Sequence, residues 1–78
     1  MPKKQNVIKA IELRNETNKL VIQREYMERL SQEEQKRRHS SPNFQKVIVS
    51  LTTLIDYFDD IIEQNRKEIA HLLEDDDS

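Results

Sequence analysis

The chain has 78 residues, no glycine, no cysteine, two prolines, 36% charged residues and a formal net charge of −2. That length admits one small domain near the limit of what a single core can hold. Disulfides, thiol catalysis and thiolate metal sites are excluded, and no whole-molecule charge draws it to nucleic acid or anionic lipid.

Sheets and tight turns lean on glycine for positive φ, so its absence favours long helices with few loops. Lys9, Glu12 and Arg14 interrupt the N-terminal apolar residues, leaving no run able to span a bilayer. The expectation is a soluble intracellular protein, cytoplasmic or nuclear, with no membrane association and no cofactor.

Residues 1–5 read as a basic, frayed start. Helical patterning then runs from about 6 to 38, with Asn6 as the expected N-cap. Ile8, Ile11 and Ile22 share one stripe with Asn15 and Asn18 between them. Leu13, Leu20 and Met27 form a second stripe at heptad spacing, beside Ala10, Thr17 and Val21. The first helix therefore has two faces to cover. The segment Asn15-Glu16-Thr17-Asn18 has poor helix propensity, and Ser31-Gln32-Glu33-Glu34 matches a capping box. One continuous helix is nevertheless expected.

A turn is expected at 39–41. Pro42 suits a first helical turn and Ser41 can cap it, while Lys36, Arg37, Arg38 and His39 complement the dipole of the first helix. The second helix should run from about 42 to 73, with flexible residues 74–78. Its seam reads Phe44, Ile48, Leu51, Ile55, Phe58, Ile62, Asn65, Ile69 and Leu72, apolar at eight of nine positions. Val47, Leu54 and Ile61 form a second row, each one residue ahead of a seam position, and Leu73 adds to the apolar face.

So short a connection makes the helices antiparallel neighbours. Pairing residues whose numbers total about 80 sets Ile8 near Leu72, Ile11 near Ile69, Ile22 near Phe58 and Asn15 opposite Asn65. Asn15 and Asn65 would then form a polar layer that fixes register.

The expected fold is all-α: a hairpin of two long helices. A lone hairpin covers one stripe per helix and leaves the second rows wet, so it should dimerise into a four-helix bundle or coiled-coil assembly. The association residues are Phe44, Val47, Ile48, Leu51, Leu54, Ile55, Phe58, Ile61 and Ile62, with Leu13, Leu20 and Met27 from the first helix. The partner is a second copy or another helical protein.

Asp56, Asp59, Asp60 and Glu63 make an acidic patch suited to pairing with a partner or with Arg24 or Arg29. Tyr57, Asp59 and Asp60 are candidate partner contacts. Lys36, Arg37 and Arg38 could instead touch phosphates, which defines the alternative reading of a small nucleic-acid-binding bundle. Against it stand the charge balance and the lack of interleaved aromatics.

Glu68 and His71 have the Glu-x-x-His spacing of di-metal bundles. The seam residues Ile69 and Leu72 turn His71 outward, however, so no metal site is expected. Arg37-Arg38-His39-Ser40 and Ser41-Pro42 resemble kinase sites, where a phosphate on Ser41 would suit a helix N-terminus. No nucleophile–base pair appears, so no enzyme is expected.

The pattern resembles small helical-hairpin proteins such as the plasmid RNA-regulating Rop proteins and the hairpin chaperones of secretion systems. The likeness lies in the pattern alone and transfers no functional residue. The expected function is that of a non-enzymatic interaction module serving as adaptor, assembly subunit or regulator.

Overall fold

The computed structural model describes residues 2–37 and 43–74, without the side chain of Arg37. Two helices pack against each other: α1 at Lys4–Arg37 and α2 at Phe44–Leu72. The Cα trace extends 60 × 16 × 13 Å. The expected turn at 39–41, with Arg38, Ser40, Ser41 and Pro42, lies outside the described residues.

The helices run antiparallel. Midway along the hairpin Arg24 meets Asp59, and at its base Lys9, Glu12 and Leu13 share a surface depression with Glu68 and Leu72.

Helix α1 starts at Lys4, earlier than the expected Asn6 cap, with the Val7 amide donating to the Lys3 carbonyl at 3.0 Å. Asn6 thus sits inside the first turn. α1 passes unbroken through Asn15–Asn18 and through Ser31–Glu34, so neither weak stretch becomes a break. Propensity differences of a few tenths of a kcal/mol per residue yield to the packing of a long seam. Helix α2 starts at Phe44, where the Val47 amide donates to the Asn43 carbonyl at 2.9 Å. Its last turn closes through the Leu73 amide, which donates to the Ile69 carbonyl at 3.1 Å.

The α2 seam is the one its heptads specify. Phe44, Ile48, Leu51, Ile55, Phe58, Asn65, Ile69 and Leu72 are half-buried, and Ile62 is buried at 5% exposure.

The α1 seam differs from the expected pairing. Ala10, Leu13, Thr17, Leu20, Arg24, Met27, Ser31 and Glu34, at alternating steps of three and four, are buried or half-buried. Ile8, Ile11 and Ile22 are exposed instead, and Asn15 with them. Turning the isoleucine stripe inward would also have buried the amides of Asn15 and Asn18, which is costly without partners. The chosen stripe has a small side chain at three of the four positions Ala10, Thr17, Arg24 and Ser31, so the helix backbones can approach closely.

Two of those small residues are polar and still fit. The Thr17 hydroxyl donates to the Leu13 carbonyl one turn back at 2.7 Å, and Ser31 Oγ accepts from Gln35 Nε2 at 3.5 Å. Among the described residues no buried side-chain nitrogen or oxygen lacks a partner. Burying hydroxyls this way costs little because their hydrogen bonds are made locally.

Candidate functional site: the open flank of α2

Only Ala10 and Ile62 are buried apolar residues among those described, and no large side chain is fully enclosed. The hairpin is a seam without a sealed core.

Exposed large apolar side chains lie on both helices: Ile8, Ile11, Ile22 and Tyr26 on α1, and Val47, Val49, Leu54 and Tyr57 on α2. Val47 is 38% exposed and Leu54 41%, with Ile61 half-buried in the same seven-residue row. Tyr57, also exposed, lies beside this row on α2. Residues whose numbers total 83, like Arg24 and Asp59, stand level across the hairpin, so the half-buried Leu30 lies at the level of Leu54 and Leu51. The tip half of this flank is therefore apolar. Nearer the base the flank turns polar, with Lys9, Glu12, Glu16 and Glu68 around one depression.

The opposite flank is held by charge. Arg24 sits in the α1 seam and donates through Nε to Asp59 Oδ1, and through Nη2 to Asp59 Oδ2 at 3.4 Å. Its Nη1 pairs with Glu28 Oε2 at 2.8 Å, one turn along the same helix. The hydrogen bond to Asp59, and then the fields of both carboxylates, raise the guanidinium pKa above its already high value. A two-pronged arginine–carboxylate contact across the hairpin favours one register of the two helices, modestly because the pair is exposed.

Of the expected partner contacts, Asp59 is thus engaged within the chain, as the acidic-patch reading allowed for Arg24. Tyr57 and Asp60 remain exposed. Tyr57 makes one ring contact, with Phe58 at 6.2 Å between centroids. Leu13, Leu20 and Met27 are half-buried in the α1 seam, and Phe44, Ile48, Leu51, Ile55 and Phe58 are half-buried in the α2 seam. The hairpin itself occupies these residues. Val47 and Leu54 stay open, while Leu73, at the base, is exposed on its own.

The polar layer of Asn15 with Asn65 is not formed, since Asn15 is exposed and only Asn65 is half-buried. Lys36 is exposed, Arg37 ends α1, and Arg38 lies outside the described residues. Exposed His71 pairs Nδ1 with Glu74 Oε2 at 3.6 Å. Among the described residues no three His, Cys, Asp or Glu side chains gather as metal ligands, and no helix is long and apolar enough to cross a membrane.

The fold and this flank together define an all-α helical hairpin with apolar side chains left exposed on it. No family model, curated protein or solved structure matches the chain.

Proposed function

We propose that the chain is a non-enzymatic protein–protein interaction module, a helical hairpin that completes its core by joining a larger helical bundle. It acts by association, as an adaptor, assembly subunit or regulator. The observation carrying this reading is the absence of any fully enclosed large side chain among the described residues, combined with the open Val47–Leu54–Ile61 row.

The physical argument concerns margin. Each ordered backbone residue costs about 1–2 kcal/mol, and small domains recover this by removing apolar surface from water. Side chains at the hairpin seam are mostly half-buried and return only part of what they could. Helices laid over the open row would bury Val47, Leu54 and Ile61 and deepen the cover over Leu51 and Phe58.

Melting over a hundredfold range of protein concentration tests the reading. Association makes Tm rise with concentration, because a partner that binds only the folded form stabilises it by mass action. A chain that melts cooperatively at one temperature throughout, and sediments as a compact monomer, would overturn the proposal.

A further inference from the structure

We propose that the occupant of the open flank is a second copy of this chain, with α2 lying antiparallel to α2 about a two-fold axis at Leu54. The inference rests on the bundle reading above and adds the partner and its register.

The row is self-complementary. Val47, Leu54 and Ile61 are evenly spaced about Leu54, and the next position at the same spacing is charged Glu68. An axis at Leu54 pairs Val47 with the partner's Ile61 and Leu54 with itself, as a closed two-fold interface requires. Between these levels exposed Ser50 falls against the partner's exposed Tyr57, a small side chain facing a ring. On the inner side, Leu51 falls near the partner's Phe58.

Charge fixes the direction. Lys46 precedes Val47 and Asp60 precedes Ile61, so both stand along the same outer edge of the row. Neither has an ion-pair partner among the described residues. An antiparallel copy sets Lys46 beside the partner's Asp60 twice over, once on each side of the axis. A parallel copy would carry the two edges to opposite sides of the row, so Lys46 and Asp60 would not meet.

The same residues fix the register. Full overlap of Phe44–Leu72 with its copy would move the axis to about Phe58. Val47 would then meet the partner's Glu68, and Lys46 would meet the partner's Lys67. The axis at Leu54 keeps the apolar tip halves together and leaves the charged base halves in water.

The chain has no native cysteine, so a single thiol reports the axis without ambiguity. Sedimentation equilibrium of the unaltered chain is expected to give a dimer. Oxidised Leu54→Cys is expected to run as a disulfide-linked dimer, and Tyr57→Cys, near the full-overlap axis, to cross-link far less. Lys46→Asp and Asp60→Lys should each weaken the dimer roughly tenfold, and the two together should restore it.

A dimer that cross-links through Tyr57→Cys but not Leu54→Cys overturns this axis and leaves the bundle reading standing. A poorly structured monomer by circular dichroism overturns the second copy as occupant and leaves a different helical partner. A compact, cooperatively folded monomer overturns both.

Discussion

At the scale of single residues, burial separates positions that hydrophobicity alone would rank together. Ile62 and Ile22 are the same side chain, yet one is 5% exposed and the other 66%. Ile62→Ala is expected to destabilise the chain by about 2–5 kcal/mol in urea unfolding, and Ile22→Ala by less than about 0.5 kcal/mol. Thr17 carries the opposite lesson. It is 4% exposed and satisfies its hydroxyl on its own helix, so Thr17→Val should be nearly neutral, whereas Thr17→Leu should cost about 1–3 kcal/mol by forcing the helices apart.

Sequence reasoning found Ile62 from its heptad position. It missed the weight of Ala10, Thr17 and Ser31 because small residues leave a weak hydrophobic signal. Their seven-residue spacing, shared with Arg24, was the signal available.

At the scale of elements, α2 was legible almost completely and α1 only in part. The α2 apolar residues gather on one side, so every seam position could be named from its spacing. In α1 the apolar residues spread around the helix, and two stripes competed. The isoleucines are the more hydrophobic set, but choosing them ignores Asn15 and Asn18, whose amides would have gone inward with them. The Asn15–Asn65 layer failed for the same reason. Asn65→Leu should therefore raise stability by about 1 kcal/mol and leave oligomeric state unchanged, as read by urea unfolding and sedimentation.

Register between the elements is marked by Arg24 with Asp59, an exposed pair that the acidic-patch reading anticipated only as one of several pairings. The raised Arg24 pKa makes its contribution fully present below the arginine's unfolded pKa and lost only as pH rises through the still higher folded value. Titration of Arg24 should therefore add no pH dependence to stability between pH 6 and 9. Arg24→Gln and Asp59→Asn should lower Tm non-additively, with a coupling that fades in molar salt.

At the scale of the whole molecule, the wide apolar face of α2 pointed to more than one neighbour, and the hairpin bears this out only as far as an open flank. A lone sequence names what is greasy; which neighbour covers it depends on shape and charge that appear once the helices are placed. Placement engaged the exposed Asp59 in an ion pair with Arg24 of the same chain and left Lys46 and Asp60 as the charges bordering the row. The proposed interface uses neither Lys36 nor Arg37. Lys36→Glu with Arg37→Glu is accordingly expected to leave sedimentation unchanged, while Leu54→Glu shifts it toward monomer.

The elongated outline has a bearing on how any such measurement is made. A compact chain of this length would have a radius of gyration of about 11–12 Å, whereas the rod's is 17.7 Å. A slender particle drags more solvent than a sphere of equal mass, so one 9.4 kDa protomer will leave a sizing column early, in the place of something heavier. Elution volume would count two molecules where there is one; only methods that weigh the particle, such as light scattering or equilibrium centrifugation, can tell solitary rods from paired ones.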